Sequence, residues 1–168
     1  AFGATGNQTG FGSAEGDLVV TLSGGAPLTW GGDFMPVGND IRFNNLESYG
    51  EVDFTNDIDL GATRRIVRVT NNANAAGDFA TLSGDLSGSS IAGGLLLDGG
   101  GTLRLTGDNS YTSSTQVNNG SLIVKSLGNS ASGPATSSVG ATANANLIDN
   151  GVILRGGDYG PISLGAAD

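Results

Sequence analysis

The feature that most constrains this chain is the spacing of its apolar residues. They come in runs of about three to five, alternate with polar residues, and are cut by Gly, Asn or Ser every eight to twelve positions or so. The clearest case is 99–126, GGGTLRLTGDNSYTSSTQVNNGSLIVKS, with Leu103/Leu105, Thr115/Val117 and Leu122/Val124 as three short alternating runs. Nowhere do apolar residues recur at i, i+3, i+4 and i+7 over a helical length. The alanine-bearing stretches, 71–77 and 141–145, are broken by Asn or Gly, which disfavour helix interiors. The chain reads as all-β.

Similar strand signals recur along the sequence. They fall at Leu18–Leu22, Pro27–Trp30, Asp40–Phe43, Val52–Phe54, Ile58–Leu60, Arg65–Thr70, Phe79–Leu82 and Ile91–Leu97, and after the central stretch at 147–148, 152–154 and 162–164. Residues 1–16 are glycine-rich, with Phe2 and Phe11 as their only large apolar side chains, and read as an extended lead-in before a repetitive body at 17–168. Strands this short, with turn residues this frequent, fit a coil in which each strand stacks on its equivalent one turn below. Small residues suit its corners and Leu, Val and Ile its interior. A sandwich of hairpin-linked strands is the competing architecture.

Composition narrows the function. The chain has 168 residues, of which 30 are Gly and only 4 Pro, and the glycines follow no three-residue period, so collagen is excluded. With 38% hydrophobic residues it can bury a core, and with 6% aromatic residues that core is mainly aliphatic. Sixteen acids against seven bases give a formal charge of −9, which opposes binding to nucleic acid or anionic membranes. There is no Cys and no His, which removes disulfides, thiolate metal sites and the commonest general base. No apolar run approaches the roughly 20 residues of a membrane span.

The central stretch resembles the autotransporter-associated β-strand repeat, also called the passenger-associated transport repeat. The likeness rests on Gly101, Thr102, Leu103, Leu105, Gly107, Asn109 and Tyr111, then Thr115, Val117, Gly120, Leu122 and Val124. Ser110 replaces the usual Thr, and Ser113-Ser114 the usual Gly-Gly, both at small polar turn positions. Phe54-x-Asn56-x-Ile58-Asp59-Leu60-Gly61 and Leu82-Ser83-Gly84-x-Leu86-Ser87-Gly88 look like what precedes such repeats. The resemblance implies a right-handed parallel β-helix, a β-solenoid, of the kind that forms extracellular passenger stalks on bacteria, with roles in secretion, adhesion and self-association.

Candidate chemistry is sparse. Asp57 and Asp59 flank Ile58 and share a face about 7 Å apart, with Asp53 near, a pair able to hold calcium or to act on a sugar. The plainer reading is a solvated face, with Phe54, Ile58 and Leu60 inside. Arg64, Arg65 and Arg68 form a basic cluster that a polysaccharide lyase could use, or that could pair with acids on a neighbouring coil. Trp30 and Tyr111 could stack on sugars or fill the core. In Gly38-Asn39-Asp40 a calcium-repeat signal is weakened by Arg42, at an expected inward position. No catalytic or cofactor-binding set emerges.

The expected function is therefore structural: a stacking unit of an extracellular fibre or surface stalk, with coils of about 20–25 residues, seven or eight in all. Its expected partners are further copies in a head-to-tail homopolymer or neighbouring coils of a longer passenger, with Phe2 and Phe11 as subunit contacts. A glycan- or host-surface-binding adhesin is the alternative, and a lyase comes last.

Overall fold

A computed structural model describes residues 8–32, 34–88, 94–125 and 139–140. Among them thirteen short strands, all paired in parallel, form three sheets, with no α-helix. The first sheet holds β1 (Gln8–Phe11), β4 (Asp40–Phe43), β7 (Arg64–Val69), β10 (Gly94–Asp98) and β12 (Thr115–Val117). The second holds β2 (Leu18–Val20), β5 (Val52–Phe54), β8 (Ala80–Leu82), β11 (Thr102–Leu105) and β13 (Ser121–Val124). The third holds β3 (Leu28–Thr29), β6 (Ile58–Asp59) and β9 (Leu86–Ser87). The chain visits the three sheets in turn through β9, and in the last two described coils it forms strands in the first two sheets only, so each round is one coil of a parallel β-solenoid.

Alternation dictates the burial. In β4, β11 and β13 every second residue is buried, and register stacks like on like. Ile41, Val67, Leu97 and Val117 form one inward row of the first sheet. In the second sheet Val20, Phe54, Leu82, Leu105 and Val124 form another. Leu28, Ile58 and Leu86 line the third. The rows merge into a single core running the length of the described coils. Because each coil touches only its neighbours, apolar burial and backbone pairing repeat coil by coil.

Coil length departs from the expected 20–25 residues. Equivalent positions in the second sheet are Leu18, Val52, Ala80, Leu103 and Leu122, so successive coils take 34, 28, 23 and 19 residues. The 34-residue coil owes its length to the connections from β2 to β3 and from β3 to β4 as well as to loop 44–51, and the 28-residue coil to loop 70–79; the corresponding turns at 99–101 and 118–120 are tight. The long loops close on their own buried polar groups. Ser13 Oγ donates to Gly16 O (2.6 Å), Asn72 Nδ2 to Ser48 O (2.9 Å), and Asn72 N–H to the buried Asp78 carboxylate. The described coils are thus less uniform in length than the spacing of short runs suggests, the first two being longer.

Two further differences concern β1 and Arg42. The first strand, Gln8–Phe11, lies inside the stretch read as a lead-in, because Gly10 and Gly12 hide its alternation. A Cβ at Gly10 would run into Arg42's carbonyl, so the pairing needs glycine there. Arg42 faces outward, between the inward Ile41 and Phe43. Among the described residues no helix is long and apolar enough to cross a membrane. The sequence signals at 147–148, 152–154 and 162–164, and Phe2, lie outside the described residues.

Leu103 sits mid-ladder and fully buried, whereas Leu46 is 73% exposed. Leu103→Ala is expected to cost about 2–5 kcal/mol and Leu46→Ala no more than about 0.5 kcal/mol. Urea unfolding followed by circular dichroism measures both, and equal midpoints for the two variants would contradict the inward row.

Candidate functional site

Where the backbone turns from one sheet to the next it leaves the ladder, and its polar groups need other partners. At the corner between the second and third sheets those partners are side chains. Asn56 is buried; its Nδ2 donates to Leu22 O and Ala26 O, both at 2.8 Å, and its Oδ1 accepts from Leu22 N–H at 2.7 Å. It thereby closes the 3-10 turn Ser23–Gly25 of the first coil. Two coils further on, the buried Asn109 accepts from Leu86 N–H at 2.7 Å. Glycine occupies the intervening corner positions: a Cβ on Gly84 would overlap Asn56's carbonyl, and one on Gly107 would overlap that of Gly84.

One position further along runs a rank of exposed carboxylates. Asp57 Oδ1 accepts from Asp85 N–H and Asp85 Oδ1 from Asp108 N–H, each at 2.8 Å. The segments 54–59 (FTNDID), 82–87 (LSGDLS) and 105–110 (LTGDNS) are therefore one corner repeated on three coils. The last lies within the central motif. The sequence reading singled out Asp57 and Asp59 but missed Asp85 and Asp108. Spacings of 28 and then 23 residues conceal the period, although aligning the three segments by eye would have exposed it.

The repeat residues divide between the inward rows, the corners and the outer face. Leu103, Leu105, Val117, Leu122 and Val124 are buried in the inward rows, with Thr102 pointing outward at the start of β11. Gly101 and Gly120 meet at the tight turn between the first two sheets, where Gly120 has φ +118° and a Cβ would strike Gly101's carbonyl. Tyr111 is a buried plug between coils: its hydroxyl donates to Thr115 Oγ1, which in turn donates to Val139 O at 3.2 Å. Burial, partly offset by the Thr115 bond, raises the Tyr111 pKa. Val139 is itself in the core.

The basic cluster is split three ways. Arg65 points inward and is 4% exposed; Nε donates to Leu60 O and Nη2 to Trp30 O, both at 2.6 Å, and the guanidinium lies 5.7 Å from the Trp30 ring centre. Desolvation lowers its pKa, with Asp59 opposing. Arg68 faces outward and bridges neighbouring coils, to Asp40 at 2.7 Å and to Asp98. The Asp40 hydrogen bond, with the nearby Asp40 and Asp98 charges, raises its pKa against the opposing effect of burial. Arg64 is exposed.

Other candidates resolve by position. Trp30 is buried, with its Nε1 donating to Asn39 O at 3.2 Å, so neither it nor Tyr111 offers a ring face to a sugar. Asp57 and Asp59 are exposed on one face, and each gives one oxygen to a backbone N–H, of Asp85 and Gly61 respectively. Asp53 accepts from Ser83 Oγ. Among the described residues no three His, Cys, Asp or Glu side chains gather as a metal site. Phe11 is half-buried, its ring 6.3 Å from Phe43 and 5.8 Å from Phe54 at the first-coil end of the core.

Residues 95–124 match the family described as Passenger-associated-transport-repeat, which is less than a fifth of the chain. That segment spans β10 to β13 and contains the whole set of motif positions read from the sequence. No curated protein and no solved structure matches the chain.

Replacing Arg65 by Met removes the donors for two buried carbonyls and is expected to destabilise by about 2–5 kcal/mol, against about 0.5 kcal/mol or less for Arg64→Ala. Chemical denaturation of the two variants side by side decides it. The raised Tyr111 pKa gives a second expectation. Its folded form holds the proton while the unfolded chain releases it near pH 10, so stability is level below that pH and falls as pH rises above it. Tyr111→Phe should flatten that alkaline fall, and an unchanged slope in pH-dependent melts would contradict the buried hydroxyl.

Proposed function

We propose that this chain, as the bearer of a passenger-associated transport repeat, is a rod-forming segment of a secreted or surface-exposed bacterial passenger, and that its function is mechanical. The repeat is a structural one. The observation that carries the reading is the continuous in-register stacking of five coils on one core, with side chains closing the corners. Such a rod presents sheet edges at its ends. Among the described residues β1, β2 and β3 are each paired on one side only, so further coils can be added there. Those coils belong either to the same passenger or to another copy joined head to tail. A heterologous contact that does not close produces a filament.

Phe11, half-buried at that end, would complete its burial under an added coil. Electron microscopy with sedimentation over a wide concentration range tests this. Rods that lengthen with concentration are expected, and a compact monomer at the highest concentrations would sink end-to-end stacking.

A further inference from the structure

The turn between β12 and β13 carries the chain from the first sheet to the second in three residues, Asn118, Asn119 and Gly120. Among the described residues Asn119-Gly120 is the only asparagine–glycine pair. Asn119 is exposed, and its side-chain amide makes no hydrogen bond among those residues. Gly120 N–H is likewise unpaired within them. The bonds around it run from Gly100 N–H to Asn119 O (3.4 Å) and from Ser121 N–H to Gly101 O (3.0 Å). Asn44, Asn56, Asn72 and Asn109 differ on each count: they are buried, their amides are held by hydrogen bonds, and residues with side chains follow them.

We propose that Asn119 is a site of spontaneous covalent modification, which converts to aspartate and isoaspartate in the folded chain and, as isoaspartate, loosens β13. The reagent is water. Gly120 N gives up its proton to hydroxide and attacks Asn119 Cγ; the side-chain nitrogen leaves as ammonia, and a five-membered succinimide closes. Water then opens the ring at either carbonyl, so that overall a water is consumed and an ammonia released. Opening at Cγ gives aspartate. Opening at the former main-chain carbonyl gives isoaspartate, with the chain running through Cβ and Cγ and the old carbonyl freed as a carboxylate. Glycine at 120 leaves the attacking nitrogen unshielded and gives the backbone the freedom that ring closure needs.

The location gives isoaspartate its effect. The linkage adds a methylene to the backbone in the shortest described coil, where a Cβ on Gly120 would already stand 2.4 Å from Gly101 O. It also turns the acceptor of Gly100 N–H into a free carboxylate. β13 follows at once, with Leu122 and Val124 in register with Leu103 and Leu105, so the added atom pulls against that pairing. Aspartate keeps the backbone and adds only an exposed charge.

Peptide mapping by mass spectrometry of the full chain, incubated in mildly alkaline buffer with and without guanidinium chloride, tests the inference. An exposed, unpaired site needs little local opening, so Asn119 is expected to convert in the folded chain within about tenfold of its rate in the denatured one. A site that reacts only through global unfolding lags by about 10³-fold or more, as is expected of Asn56 and Asn109. Asn119→Gln, whose longer side chain closes a ring poorly, should abolish the reaction at that position. The isoaspartate form, separated chromatographically, should melt below the parent, whereas Asn119→Asp should melt with it. Two results overturn the inference: folded-state conversion at Asn119 as slow as at Asn56, or an isoaspartate form that melts with the Asn119→Asp variant.

Discussion

Everything in this fold depends on keeping backbone polar groups paired where the chain leaves its sheets. Within a sheet the parallel ladder satisfies N–H and C=O automatically. At the corners it does not, and an unpaired buried group costs about 1–3 kcal/mol. With three corners per coil, that penalty would exceed the net stability of a small domain, about 5–15 kcal/mol, if it went unanswered. Three answers are used. Asn56 and Asn109 supply amide groups from inside, Asp57 and Asp85 supply carboxylate oxygens from outside, and glycines such as Gly84 and Gly107 let one carbonyl lie against the next coil. The asparagine and glycine content follows from this requirement, not from loop flexibility.

Arg65 shows the same requirement met at greater expense. Burying a cation is costly, and such a group is usually found only where hydrogen bonds compensate. Here the guanidinium reaches two carbonyls on adjacent coils, Leu60 O and Trp30 O, beside the indole ring. Gly31 and Gly61, both at positive φ, leave it room: a Cβ at either would stand 3.1 or 3.2 Å from Nη2. A lysine could not serve both carbonyls with the same planar geometry. Arg65 therefore acts as a staple across coils, and its place in a cluster of three arginines disguised a core residue as a surface one.

How much of this was legible depended on the range of the interaction. The all-β class, the inward rows and the strand limits of β4 and β5 follow from alternation, which is local and survives any loop length. The central motif was legible because 99–126 lies where coils are shortest, 23 and then 19 residues, so its strands sit close in sequence. What was not legible was which coil stacks on which. Loop 70–79 makes the step from Asp57 to Asp85 longer than that from Asp85 to Asp108, so the three look unrelated until register aligns them. Gly10 hid β1 in the same way, since an outward glycine interrupts the pattern of a strand that pairs perfectly well with β4.

The same separation explains where specificity can reside in such a rod. The interior needs only apolar residues of suitable size, and its rows mix Val, Phe, Leu and Ala without changing the path of the coil. The corners need particular groups, but only for backbone pairing. The outward columns are constrained by neither. Thr81, Arg104 and Ile123 share one column of the second sheet; Arg42 and Arg68 share one of the first; Thr29, Asp59 and Ser87 share one of the third, with the aspartate rank at the corner before it. Side chains on these columns stand at the coil pitch but change in kind from coil to coil, Arg42 and Arg68 being followed by Asp98 in the first sheet. A solenoid with irregular loops and regular corners thus keeps its folding rules inside and leaves its outer faces free to differ in charge.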